Sequence, residues 1–107
     1  MSQTLGRVQR LLAEGEVRIS DRGYDELAAD AMLAGEVIAG VQQAVVVEDY
    51  ADYIKGPCVL VLQRDSAGKA IHAVWGIARG TTRPAVLITA YRPAPEKWTE
   101  DFNRRKA

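Results

Sequence analysis

Residues 70–98 read AIHAVWGIARGTTRPAVLITAYRPAPEKW, and this stretch decides the fold of the chain. Its two apolar runs, 71–77 and 86–92, are rich in β-branched and aromatic residues, which favour strands. A basic turn separates the runs, and the prolines that follow the second run end it. The stretch therefore predicts an antiparallel β-hairpin that the rest of the chain covers.

The segments before this hairpin predict further strands. Residues 58–64 (CVLVLQR) are apolar on both faces, which is typical of a central strand, and residues 65–69 form a hairpin loop. Residues 45–50 begin with a β-branched run, and residues 16–20 alternate like a half-buried edge strand. Together with the hairpin, these segments predict a sheet.

Apolar residues at helical spacing predict helices over 4–13, 24–30 and 34–40. Residues 96–105 favour a C-terminal helix, because a proline suits the first turn. We therefore expect a single α+β domain over residues 1–107, with an antiparallel sheet of about 4–5 strands and helices packed on one face.

The composition is that of an ordinary globular domain, with 48% hydrophobic and 26% charged residues and a formal net charge of zero. The first half of the chain is net acidic and the second half net basic, which either marks a basic binding surface or is neutralised when the halves pack together.

No apolar run approaches the roughly 20 residues of a membrane helix, and the N-terminus lacks a signal-peptide pattern. We expect a cytoplasmic protein with no membrane partner. A single cysteine and a single histidine allow no internal disulfide and make no zinc site, so we expect no metal and no cofactor.

Strand alternation sorts the hairpin residues into two faces. Symmetric closure of the first loop places Leu62 opposite His72. The same rule at the second loop places Trp75 opposite Leu87, and it places His72 opposite Ala90. The first face is almost purely aliphatic and is the one we expect the helices to cover: Cys58, Leu60, Leu62, His72, Val74, Val86, Ile88 and Ala90. The second face mixes aromatic and polar groups, which favours a ligand or partner surface: Val59, Val61, Gln63, Ile71, Ala73, Trp75, Leu87, Thr89 and Tyr91.

A few side chains in this region are candidates for chemistry. His72 is the obvious acid–base candidate, because its unperturbed pKa lies near neutrality, although its aliphatic neighbours also fit a core histidine. Arg79 and Arg83 flank one turn and could hold a phosphate group, or they could simply be solvated. Trp75 and Tyr91 fit either sheet packing or base stacking. The residues alone leave these alternatives open.

Several motifs along these strands resemble those of a widespread bacterial family. The motifs are EDY at 48–50, GPCVLVL at 56–62, GKAIHAVWGI at 68–77, TAYRP at 89–93 and Trp98. They resemble the family known as domain of unknown function 4258 over roughly residues 16–105. That family is distantly similar to the RelE and BrnT types of RNA-cleaving toxin.

The resemblance implies a RelE-like α+β fold and a ribonuclease, or a relic of one. Metal-free RNA cleavage uses side chains to hold the scissile phosphate, deprotonate the 2′-hydroxyl and protonate the leaving oxygen. By motif position, the resemblance assigns catalytic roles to His72, Tyr91 and Arg92. It assigns phosphate binding to Arg79 and Arg83. It also implies RNA as a partner, together with an antitoxin-like protein.

The chain departs from the family pattern at one position. Many members carry a histidine in a serine-x-histidine segment after the first strand, where this chain has Ser20-Asp21-Arg22. If that histidine is needed for chemistry, the chain either is inactive or relies on Arg22 only for its charge. The alternative function is a non-catalytic module that binds a protein or forms a homodimer through the face that carries Trp75, Leu87 and Tyr91.

Overall fold

The computed structural model of the chain describes residues 2–106, which form three α-helices, a 3₁₀ turn and five strands. In chain order the elements are α1 (Gln3–Ala13), β1 (Val17–Ile19), α2 (Asp21–Ala29), α3 (Ala34–Gly40), the 3₁₀ turn (Val41–Gln43), β2 (Val45–Tyr50), β3 (Cys58–Arg64), β4 (Ala70–Gly76) and β5 (Ala85–Tyr91). The prediction of an α+β fold is confirmed. The bounds expected for α3, β2 and β3 agree with those observed.

The sheet has the strand order β1-β5-β4-β3-β2. Strands β2 to β5 form an antiparallel meander, whereas β1 pairs in parallel with β5. The sheet is therefore mixed and not purely antiparallel, which differs from the expectation. Two helices separate β1 from the meander, so no tight turn forces β1 to run antiparallel to its neighbour.

The register between β3 and β4 agrees with the sequence prediction, whereas the register between β4 and β5 agrees only in part. Leu62 lies opposite His72, and Trp75 lies opposite Leu87, as expected. A β-bulge between Val74 and Trp75 then shifts the β4–β5 register, so that His72 lies opposite Tyr91. The predicted pairing of His72 with Ala90 is wrong. A bulge places two residues of one strand opposite one of its partner, and here it moves Tyr91 onto the face that carries His72.

The helices cover the face that was expected to be open. Val59, Trp75 and Leu87 share one face, as predicted, and all three are fully buried beneath the helices. The assignment of the open face is therefore wrong. Its polar members do not need water, because the indole Nε1 of Trp75 donates to Oε1 of Gln63 at 2.8 Å and the Gln63 amide donates to the Val37 carbonyl at 2.7 Å. The core consists of Leu5, Val8, Leu12, Leu27, Met32, Val37, Val41, Val59, Val61, Ile71, Ala73, Trp75, Ile77, Ala85, Leu87 and Ala90.

The predicted C-terminal helix over 96–105 is wrong. Residues 93–106, which we call the C-terminal segment, consist of turns closed by an isolated bridge between Trp98 and Arg105. The Asp101 carboxylate accepts from the hydroxyl of Thr99 and from the backbone N–H of Asn103. Such local side-chain bonds compete with helical hydrogen bonding.

The described residues, 2–106, contain no helix long and apolar enough to cross a membrane.

Candidate functional site

The helix-free face of the sheet is divided into two regions. The C-terminal segment covers one region, around His72 on β4. The other region lies where β4 ends and β5 begins, and it opens into a hollow of about 380 Å³. The two regions present different chemistry.

His72 lies at the centre of the covered region and is fully buried. Its Nε2 is 2.8 Å from the carbonyl oxygen of Phe102, and its Nδ1 is 3.2 Å from the hydroxyl oxygen of Tyr91. Because a carbonyl only accepts, Nε2 carries the proton in the neutral ring, and Nδ1 accepts from the Tyr91 hydroxyl. The Trp98 ring packs edge-on against His72, with 4.3 Å between ring centroids. Both ring nitrogens are therefore occupied by protein partners.

One ion pair holds the far side of the C-terminal segment. Arg105 donates to Oε1 of Glu48 at 3.0 Å, and its guanidinium lies over the Trp98 ring, 4.7 Å from the centroid. The Tyr50 hydroxyl donates to the same oxygen of Glu48. The hydrogen bond from Tyr50, followed by that from Arg105, lowers the pKa of the Glu48 carboxyl. The covered region is thus a hydrogen-bonded polar cluster beneath a tryptophan.

The surroundings of His72 disfavour its charged form. Burial lowers the pKa of His72, and the positive charge of Arg105 lowers it further. The hydrogen bond to the Phe102 carbonyl and the negative charge of Glu48 oppose this shift without reversing it. In the folded protein His72 is therefore a neutral hydrogen-bonding residue at physiological pH.

We expect this histidine to make the protein acid-sensitive. Its pKa is lower in the folded state than its unfolded value of about 6.5, so unfolding takes up a proton between the two pKa values. Above about pH 7, His72 should add no pH dependence to the free energy of unfolding. As the pH drops below about 6.5, that free energy should fall. Urea unfolding measured from about pH 7.5 to about pH 5 tests this.

The chain contains a single histidine, so His72→Gln is a clean control for this acid dependence. The variant should be less stable at neutral pH but should lose the fall in stability between about pH 6.5 and pH 5. An unchanged pH dependence in the variant would assign the effect to the carboxylates instead.

Arg92, the third predicted catalytic residue, points towards a different part of the fold. Its guanidinium forms an ion pair with Asp65 at 2.8 Å and donates to the Ala70 carbonyl at 3.2 Å. The Asp65 carboxylate in turn accepts from backbone N–H groups of the β3–β4 loop. The structure therefore brings His72 and Tyr91 together, whereas Arg92 fastens the end of β5 to that loop.

The predicted phosphate-binding residues lie at the opposite end of β4. Arg79 and Arg83 occupy the turn after Gly76, and the four residue steps of strand from His72 to Gly76 already span about 13 Å. Arg79 donates to the backbone carbonyl of Ile54 at 3.3 Å. These two arginines do not share a cleft with His72, so the five predicted site residues do not form one site.

The open hollow contains cations that come from three separate segments. Val17 and Ile19 of β1 pack against the core, so Arg18 between them projects onto the helix-free face, where it lies opposite Val86. Arg22 comes from the first turn of α2, and Lys55 from the loop between β2 and β3. None of the lining residues in the described part of the chain carries a carboxylate.

A second hollow of about 630 Å³ adjoins the first, and the two share the loop residues Tyr53, Gly56 and Pro57. It is lined by Arg7, Arg79 and Asp52, among others, so it is also net cationic. Tyr53 lines both hollows, and the residue is 53% exposed. This end of the sheet therefore displays arginine and lysine side chains on either side of an exposed aromatic ring.

Sequence reasoning missed the first hollow. Arg18 is a plausible guard residue on an edge strand, and Arg22 is notable only as a departure from the family pattern. The signal that could have found Arg18 is the alternation of β1, which points its side chain away from the core against which its two partly buried neighbours, Val17 and Ile19, pack. Nothing in the sequence indicates that Lys55 joins it.

Within residues 2–106, no group of three or more His, Cys, Asp or Glu side chains is placed to hold a metal ion.

Comparison with known families gives one match. A family described as Domain of unknown function (DUF4258) matches residues 7–92, which is most of the chain. The match ends one residue after β5, so it includes the sheet and the open hollow but not the C-terminal segment. No curated protein and no solved structure matches the chain. The likeness to RelE stays a prediction.

Proposed function

The chain belongs to the DUF4258 family, which is described only as a domain of unknown function, and from this premise we propose that it is a non-catalytic RNA-binding protein. The observation that carries the proposal is the open hollow on the helix-free face, in which Arg18, Arg22 and Lys55 converge without a lining carboxylate. The net charge of the whole chain is zero, so the positive charge of the hollow is a local feature of this surface.

The cations of the hollow suit the phosphate groups of RNA. Arginine presents several N–H donors in a plane, which match phosphate oxygens, and each neutralised phosphate releases a bound counterion. Arg22 also forms an ion pair with Glu26 at 4.0 Å, but this pair is exposed and so contributes little. Arg22 is therefore available to an incoming phosphate.

The neighbouring hollow extends the proposed surface. Arg79 lines it, so the phosphate-binding role predicted for Arg79 is retained in the proposal. Arg83 is exposed in the same turn, and its predicted role is retained as well. A strand of RNA that crosses the β2–β3 loop would meet cations on both sides of it.

The non-catalytic part of the proposal is supported by the state of His72. General acid–base catalysis requires a side chain within hydrogen-bonding reach of the reacting proton, and both nitrogens of this buried ring already have protein partners. Arg22 stands where many family members carry a histidine, and a guanidinium offers hydrogen-bond donors but no acceptor, so it does not replace a histidine as a general base. The catalytic roles of His72, Tyr91 and Arg92 stay a prediction that a cleavage assay can test.

Removing two cations from the hollow should weaken RNA binding. We expect Arg18→Ala with Arg22→Ala to raise the dissociation constant for a short single-stranded RNA by roughly tenfold or more. It should also reduce the slope of log K against log salt by about 1.4, because each phosphate contact to a single strand contributes about 0.7. Fluorescence anisotropy of a labelled RNA between about 50 and about 200 mM salt measures both quantities.

The matched control removes two cations at the opposite end of the sheet. Arg64→Ala with Lys69→Ala makes the same change in net charge, and both residues are exposed and outside the two hollows. Its affinity should stay near that of the unchanged protein. Equal losses in both double variants would mean that only net charge matters and would overturn the proposed site, as would no RNA binding at all.

A cleavage assay tests the catalytic alternative directly. We expect the RNA to remain intact after incubation with the protein. RNA cleavage that disappears in the His72→Gln variant would overturn the non-catalytic assignment and would support the ribonuclease activity that the family resemblance implies.

A further inference from the structure

We infer that Tyr53 is a base-stacking residue that makes this surface select single-stranded RNA, with phosphate groups held in the two hollows on either side of the ring. The inference rests on the proposed function, because it names the form of RNA that the same surface accepts. It concerns a residue of the β2–β3 loop to which neither the sequence motifs nor the family match assigns a role.

The position of Tyr53 is the first observation. It is the aromatic residue shared by the linings of both hollows, so it stands between Arg22 and Lys55 on one side and Arg7 and Arg79 on the other. About half of its side chain is exposed, although it lies in a loop that contacts the body of the protein. A tyrosine that is not buried in the core and stands between cations has the arrangement that single-strand-binding surfaces use.

The second observation is that the loop is held in place by backbone hydrogen bonds. The Tyr53 N–H donates to the Tyr50 carbonyl at 3.2 Å, and the Tyr53 carbonyl accepts from the Gly56 N–H at 3.0 Å. The Lys55 carbonyl accepts from the Arg79 N–H at 2.9 Å, which ties the loop to the end of β4. The ring is therefore presented from a fixed backbone, so little conformational entropy is lost when a base stacks on it.

The chemistry of the arrangement distinguishes single strands from duplexes. Stacking on an aromatic ring needs a base whose face is free, and in a duplex both faces are occupied by neighbouring base pairs. Phosphate contacts in the hollows do not depend on the base, whereas the contact with Tyr53 does. We therefore expect a preference for single-stranded RNA over duplex RNA and little preference among base sequences.

The experiment compares three probes on three proteins. The probes are a short single-stranded RNA, a duplex of the same sequence, and inorganic polyphosphate, which offers phosphates without bases. The proteins are the unchanged chain, Tyr53→Ala and Tyr53→Phe. Because Tyr53 is half exposed, both variants should fold, and a thermal melt of each variant is the check.

The expected result is specific to the ring. Tyr53→Ala should weaken binding of single-stranded RNA by about tenfold, whereas Tyr53→Phe should keep the affinity because it keeps the stacking face. Polyphosphate should bind equally to all three proteins and should displace the RNA. Single-stranded RNA should bind the unchanged chain more tightly than the duplex does.

Two sets of results separate failure of this inference from failure of the proposed function. If Tyr53→Ala binds single-stranded RNA as tightly as the unchanged chain, while the Arg18 and Arg22 double variant does not, the stacking role is overturned and RNA binding at the hollow stands. Equal binding of duplex and single strand also overturns the stacking role. If neither RNA nor polyphosphate binds the unchanged chain, both proposals fail.

Discussion

Replacing Trp98 by alanine should lower the free energy of unfolding by about 3–5 kcal/mol, the usual range for truncating a buried tryptophan. The side chain is only 4% exposed, and it joins the C-terminal segment to the sheet by packing on His72 and under Arg105. The backbone of the segment adds one bond to the sheet, in which the Phe102 carbonyl accepts from His72. Its backbone–backbone hydrogen bonds after Pro93 are made within the segment itself. Urea unfolding at neutral pH measures the loss.

Loss of Trp98 should also change the acid dependence of stability. Once the segment no longer buries His72, the pKa of this histidine should return towards about 6.5, and stability should no longer fall below that pH through His72. Trp98→Phe, which keeps part of the ring contact, should lose less stability. Arg104→Ala changes an exposed side chain of the same segment and should stay within about 0.5 kcal/mol of the unchanged protein. If the unfolding free energy of Trp98→Ala also stayed this close to that of the unchanged protein, the segment would not anchor this face of the sheet.

Replacing Gly56 by alanine should have the second largest effect. Gly56 adopts a φ of +124°, and a methyl group there would collide with the Ile77 carbonyl oxygen and would approach the Arg79 nitrogen to 2.6 Å. These neighbours are backbone atoms, so the loop itself must move. We expect a loss of about 3 kcal/mol or more, from the disfavoured backbone conformation together with the overpacking.

The RNA affinity of Gly56→Ala should fall with its stability, because the displaced loop carries Tyr53 and Lys55. The matched control is Gly68→Ala, where φ is +81° but nothing lies near the added methyl group. That variant should lose only about 1–2 kcal/mol, the cost of a left-handed conformation, and should keep its RNA affinity. Equal losses at the two glycines would show that the conformation alone, and not the close contact with the backbone of Ile77 and Arg79, makes Gly56 necessary. Thermal melts and anisotropy on the same samples measure both effects.

The strands and much of their pairing could be predicted because the information is local. Residues 58–64 and 70–76 are largely apolar runs joined by a short loop with a glycine, so the loop fixes the register of β3 and β4. The shift beyond Trp75 could not be predicted in this way. A bulge adds one residue, here Ile88, without any turn signal in the sequence.

The choice of the buried face failed because both faces are largely apolar. Gln63 and Trp75 look like surface residues in isolation, but they satisfy each other and the Val37 carbonyl across the core. Only the helix that supplies that carbonyl shows that the pair can be buried. A sequence pattern records the polarity of each side chain and not the partner that it finds.

The candidate site was even less accessible to prediction. The hollow combines Arg18 and Arg22 from the acidic half of the chain with Lys55 from the basic half, and the fold brings them together. The burial of His72 depends on a backbone carbonyl, that of Phe102, in a segment expected to be helical. Backbone partners of this kind carry no side-chain signature.

Cys58 provides a chemical reporter for this part of the molecule. It is the only thiol of the chain, it is 7% exposed, and it lies between Tyr50 on β2 and Gly76 on β4. Burial, followed by the charge of Asp49, raises the pKa of the thiol, so alkylation of the native protein should be slow. The rate of Cys58 alkylation would then report how often these strands separate transiently. A ligand bound against Gly76 and Pro57 should lower that rate.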